Sequence, residues 1–205
     1  MATAGTGAQS NGRLQVGSSA GTAGVAGPAA SRRRRALAWT AALAEEWAGP
    51  WETYLVRDVV PWSAEHLPLS GRRADRGIAG LSAGAYGAID IALRHPGLFG
   101  VAESWSGYFR PFRDGPLAHA TSAELAAHNP TLLVRRESSL LRREHVRFYL
   151  ATGFNHGGIF RRWTYMFARE LRGLRLPYHL WASHEPDGGR CLRLQLPAAL
   201  EFAFS

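Results

Sequence analysis

The chain has 205 residues, enough for one domain with a buried core, and its 46% hydrophobic and 11% aromatic content excludes a wholly disordered polymer. All 24 basic residues are arginine, and the single cysteine, Cys191, excludes an internal disulfide and a four-cysteine zinc site. Of the net charge of +8, residues 1–36 carry +5 with no acid, so the body is only mildly basic.

Residues 1–31 are almost wholly small or polar, and Arg32-Arg33-Arg34-Arg35 follows them. Too little apolar surface is present to offset the entropy of ordering, so residues 1–36 read as a disordered, low-complexity basic tail. The arginine run has no aromatic interleaving and no nucleic-acid motif beside it, which makes it a solvated linker and not a nucleic-acid site. No apolar stretch is long enough to span a bilayer, and the N-terminus lacks a signal-peptide pattern, so the expected location is cytoplasmic.

Order is expected from residue 37 to residue 205. Leu37, Ala41, Ala44 and Trp47 follow a helical period and Gly49-Pro50 ends it, predicting a helix over 37–48. Trp51, Tyr54, Leu55, Asp58, Val59 and Trp62 predict a second helix over 51–60, stopping before Pro61. Residues 76–81 read as a short buried strand, and a helix follows through Leu93 to His95-Pro96. Residues 101–105 and 146–152 are strands, separated by a long irregular segment with one helix-like stretch at 121–128. A one-faced helix starts at Ile159, and a strand runs from Tyr178 to Ser183. The last segment reads as a helix with Pro197 near its first turn, although Leu192, Leu194 and Leu196 also alternate like a strand. Strands alternating with helices imply a parallel sheet.

Gly80-Leu81-Ser82-Ala83-Gly84 is a G-x-S-x-G pentapeptide between a predicted strand and a predicted helix. A serine on such a sharp turn sits in strained backbone space, with its hydroxyl at the carboxyl end of the sheet, and the glycines leave room for the adjoining chain. That is how a serine is presented as a nucleophile.

The stretch WETYLVRDVV at 51–60 is followed by GIAGLSAGAYGAIDIALRHPGLFG at 77–100 and by Trp105-Ser106-Gly107-Tyr108-Phe109. Together with FYLATG at 148–153 and LPAALEF at 196–202, these resemble the esterase-D/mycolyltransferase branch of the α/β-hydrolases over residues 50–205. The resemblance implies a three-layer α/β-hydrolase sheet. Only its C-terminal half is expected here, about four strands ending near 81, 104, 152 and 183, because no upstream strand pattern is evident. It further implies ester hydrolysis or acyl transfer through an acyl-serine at Ser82, on a small-molecule ester or acyl substrate, without metal or organic cofactor. Ala83 would give one oxyanion N–H.

The rest of the implied triad departs from the family. Past the strand at 146–152 the family places its acid; here the chain reads Gly153-Phe154-Asn155-His156, with no Asp or Glu between Glu144 and Glu170. Asn155, or Glu103 on the preceding strand, is the substitute for orienting a base. The family's histidine slot falls on Asp187, leaving His184, three residues upstream, or His156 as the base. The aromatics Trp105, Tyr108, Phe109 and Phe112 are candidates for an acyl-pocket wall. Two expectations follow: an esterase, or a catalytically degenerate hydrolase-like domain or fragment. In either case strand 76–81 is expected to be an open edge, available for self-association or a partner chain.

Overall fold

The computed structural model describes residues 36–40 (backbone alone), 51–113, 118–154, 158–186 and 188–205. Its elements run β1 (Ala36–Thr40), α1 (Trp51–Thr53), a π-helical stretch (Tyr54–Val59), α2 (Val60–His66), a 3-10 turn (Arg73–Asp75), β2 (Arg76–Leu81) and α3 (Ala83–Arg94). Then follow β3 (Val101–Trp105), α4 (Ser122–Ala127), α5 (Pro130–Arg136), α6 (Ser138–Arg143), β4 (Arg147–Phe154), α7 (Ile159–Gly173), β5 (Tyr178–Pro186) and α8 (Gly189–Phe204). The strands form a five-stranded sheet in the order β1-β2-β3-β4-β5, and every neighbouring pair is parallel.

Side chains alternate across that sheet, as strand geometry demands. Ile78, Ala102, Phe148 and Leu150 face a core shared with α3, α5, α6 and α7. Ala79, Trp105, Tyr149 and Ala151 face the other way, onto Ala199, Leu192, Leu196 and Phe202 of α8. Two helical layers thus sandwich a parallel sheet, the α/β-hydrolase architecture the resemblance implied. Helix α3 is buried nearly all round, and its run of Ala and Gly lets it lie close to the sheet.

Four elements differ from the sequence reading. Residues 37–40 belong to β1, not to a helix, and their register on β2 runs from Ala36↔Arg76 to Thr40↔Gly80. Strand β2 is consequently paired on both sides and is not an open edge. The helical run begun at Trp51 continues past Pro61 to His66, because the wider π turns before it change the bonding register where Pro61 has no N–H to give. Helix α8 starts at Gly189, so Pro197 lies well inside it. Of the tail expected over 1–36 and the helix over 37–48, everything except residues 36–40 lies outside the described residues.

The segment between β3 and β4 also contains more order than alternation reveals. Thr121 caps α4 through a reciprocal capping box with Glu124, and Asn129 caps α5 by accepting from the Thr131 and Leu132 N–H groups.

Candidate active site

Ser82 joins β2 to α3 with φ 56° and ψ −117°, a left-handed conformation that costs a non-glycine residue strain. The turn is held in place from two sides. The Ser82 N–H donates to the Trp105 carbonyl at 2.9 Å, and the Ser82 carbonyl accepts from the Ala85 and Tyr86 N–H groups at 3.0 and 3.2 Å. A Cβ at Gly80 would stand 2.1 Å from the Gly84 carbonyl oxygen, so the pentapeptide needs its first glycine for space. Ser82 is exposed between a buried strand and a buried helix. The buried Ala83 occupies the first helical position, where its N–H has no acceptor in the helix ladder.

Because all five strands are parallel, their carboxyl ends share one edge of the sheet. Thr40, the last residue of β1, pairs with Gly80, so the chain leaves β1 at the edge where Ser82 sits. The continuation, residues 41–50, lies outside the described residues.

His184 lies near the carboxyl end of β5, exposed, within an irregularity in the β4–β5 ladder. Thr152 pairs with Ala182 but Phe154 pairs with Pro186, so β5 carries two extra residues there. That bulge is pinned by Arg161 of α7, which donates to the Ser183 carbonyl at 3.0 Å, and by Ser183 Oγ, which accepts from the Glu185 N–H at 3.0 Å. Three strand spacings, about 14 Å, separate β5 from β2. Neither the Ser82 hydroxyl nor the His184 ring has a hydrogen-bonding partner among the described residues. Asn155, His156 and Asp187 lie outside the described residues; the first two directly follow Phe154, two strands from β2.

Glu103 is placed unfavourably for orienting a base. Fully buried within β3, it faces α8 and accepts the Trp105 indole N–H at 3.0 Å. Burial pushes its carboxyl up to about 8, against the smaller opposing effects of the Trp105 bond and the Arg147 charge. A triad acid must be ionised and bonded to an imidazole; burial disfavours the first, and the bond Glu103 makes is to the Trp105 indole.

The aromatic wall is also rearranged. Trp105 packs on the α8 side of the sheet, and Phe109 is buried against Phe167, ring centroids 4.1 Å apart. Tyr108 and Phe112 remain at the surface and join a chain of rings. Tyr86 stacks on Tyr108 at 4.9 Å, Tyr108 meets Phe112 at 4.7 Å, and Phe112 meets Trp163 at 5.5 Å. Tyr86 stands one turn beyond Ser82 on α3, which places this wall near the elbow. Sequence reasoning missed Tyr86 and Trp163 because helical periodicity alone assigns both to a core face.

A further charged group escaped the sequence reading. The nearly buried Asp90 carboxyl pairs with His128 Nδ1 at 3.0 Å, while the Tyr86 hydroxyl donates to the His128 carbonyl at 2.5 Å. Burial raises the Asp90 carboxyl above its ordinary range despite that partner. His95 Nε2 meets Glu52 at 2.5 Å, tying α1 to the end of α3 and holding the Glu52 carboxyl below its ordinary range. Asp90 lies two turns from Ser82 along α3, about 12 Å, so this network braces helices and does not reach the elbow.

Comparison with known proteins agrees with this geometry. Residues 15–157 match the family described as "Putative esterase". The fold resembles a ferulic acid esterase, with 18% identity, TM-score 0.62, and coverage of 75% of this chain and 60% of that one. It also resembles the S-formylglutathione hydrolase of Staphylococcus aureus, with 20% identity, TM-score 0.59, and coverage of 78% and 64%. The third is MPT51 of Mycobacterium tuberculosis, with 19% identity, TM-score 0.62, and coverage of 78% and 72%. The chain thus spans less than two thirds of the first two structures. No curated protein matches the sequence. With its matched segment extending well upstream of the elbow and across β1 to β4, this chain belongs to the "Putative esterase" family of α/β-hydrolases.

Proposed function

We propose that this chain is a carboxylic-ester hydrolase or acyltransferase working through an acyl-serine on Ser82. The observation that carries the reading is the serine itself: strained, exposed, and fixed between a buried strand and the start of a buried helix. Ser82 Oγ attacks the ester carbonyl carbon as its proton passes to a histidine. The oxyanion so formed takes the Ala83 N–H. The alcohol departs with the histidine's proton, and water or an acceptor alcohol then releases the acyl group. His184, swung from the β5 bulge, or His156, which follows β4 in the sequence, supplies the base, and Asn155 orients it.

A degenerate domain is the second reading, favoured by the Ser82 hydroxyl having no hydrogen-bonding partner among the described residues and by the buried Glu103. Titration with a fluorophosphonate separates the two. Stoichiometric labelling that Ser82→Ala abolishes is the expected result; an unlabelled, folded protein would leave the degenerate reading standing. His184→Ala and His156→Ala then identify the base, since only the true base should slow labelling by about 100-fold or more.

A further inference from the structure

The layer between the sheet and α8 buries an unusual group of polar atoms. Glu103 Oε1, the Tyr149 hydroxyl and Gln195 Oε1 are all buried and have no hydrogen-bond partner among the described residues. Glu103 and Tyr149 are direct cross-strand partners on β3 and β4. Gln195 lies on the face of α8 that packs on the sheet, in the buried series Cys191, Gln195, Ala199, Ala203. Such atoms are normally satisfied, and a carboxylate among them would be far costlier than a neutral acid.

The groups facing Glu103 do little to hold a negative charge. From β3 comes the Trp105 indole N–H, and from β2 only apolar side chains, Ala79 and Leu81. From β4 come Tyr149 and Arg147, but the guanidinium is spent on the Phe202 carbonyl at 3.1 Å and Ser205 Oγ at 2.9 Å. From α8 come Gln195 and Cys191, and His179 of β5 reaches the group only by stacking on Tyr149 at 5.4 Å.

We propose that Glu103 is a proton-operated latch on α8: protonated, it lets α8 lie dry on the sheet, and on losing its proton it draws water into that layer and loosens the helix. Helix α8 follows β5 through Asp187 and Gly188, and Gly188 has φ 150°, so a loosened α8 frees the segment that carries His184. Burial has already moved the Glu103 proton into the range of ordinary working pH. The consequence for catalysis rests on the Ser82 reading; the latch does not.

Hydrogen exchange without substrate, corrected for intrinsic rate and followed from pH 6 to 9.5, is the test. Protection of the α8 amides between 190 and 203 (Pro197 has none) should fall at least tenfold between pH 6 and 8 and level off above, while amides 86–94 of α3 stay within about twofold. Glu103→Gln should remove the fall. Flat α8 protection in the native protein, or the same fall in Glu103→Gln, overturns the proposal. Should Glu103→Gln not fold, carbon-13 NMR of glutamate-labelled native protein decides: a Glu103 carboxyl titrating near 8 upholds the latch, and one ionised at pH 7 overturns it. Fluorophosphonate labelling at pH 7 is independent of both readouts, so failure of the latch and failure of the nucleophile are distinguishable.

Discussion

At the scale of single residues, what could be read from the sequence is what local sterics encode. Gly80, Ser82 and Gly84 announce a tight turn because no other residues fit it, and that turn is present. Gly80→Ala should therefore cost about 3 kcal/mol, the upper end of ordinary overpacking, since its Cβ would meet backbone at Gly84 that cannot withdraw. Gly97→Ala, whose Cβ would meet nothing within 4 Å, should stay within about 0.5 kcal/mol in the same urea titration. Glu103 makes the opposite point. Its residue type suggested an acid for the triad, but burial decides its chemistry, and burial is a property of the whole sheet. Because its folded-state value is raised, the native state holds the proton between the ordinary carboxylate range and about 8. Stability from this group is full below that range and is lost as pH rises to about 8, amounting to roughly 5 kcal/mol at most. Asp90 is shifted in the same sense. Glu103→Gln should flatten this decline in melts between pH 5 and 9; an unchanged slope would remove Glu103 as its source.

Among the elements, β2 to β5 and α7 were evident from apolar runs and one-faced periodicity, whereas β1 was not. Ala36–Thr40 reads ALAWT, in which Ala and Leu favour a helix, and only the ladder with β2 makes it a strand. The helices α5 and α6 were missed for a related reason, since each is under two turns and relies on caps and packing instead of a long apolar stripe. The β5 bulge cannot be seen in the sequence at all, because it is a mismatch between two strands. It nevertheless governs where His184 points. Arg161→Ala removes the bond to the Ser183 carbonyl, and if His184 is the base it should slow fluorophosphonate labelling about tenfold while leaving the melting temperature within about 3 °C. Labelling at the native rate would separate the bulge from catalysis.

On the scale of the whole molecule, pairing of β1 with β2 moves the end of the sheet formed by the described residues. The sequence reading put that edge at 76–81, where an apolar central strand would have lacked a partner. In the structure β2 is sealed on both sides, and the end positions belong to β1 and β5. These are unequal. The exposed positions of β5 include His179 and His184, and its bulge breaks the ladder, both features that discourage a further strand. Strand β1 has one ladder among the described residues and pairs without interruption from Ala36 to Thr40. We therefore expect association between chains to run through β1. A residue in a strand turns its N–H and C=O to the same side, and successive residues alternate, so proline at positions 37, 38 and 39 in turn should give an alternating result. Proline at an outward-facing position should abolish association and keep the melt cooperative, and proline at an inward-facing one should destabilise the fold by breaking the β1–β2 ladder. Sedimentation velocity at tens of micromolar is the measurement. A native protein that is a monodisperse monomer there, with no alternation among the variants, would refute edge pairing through β1.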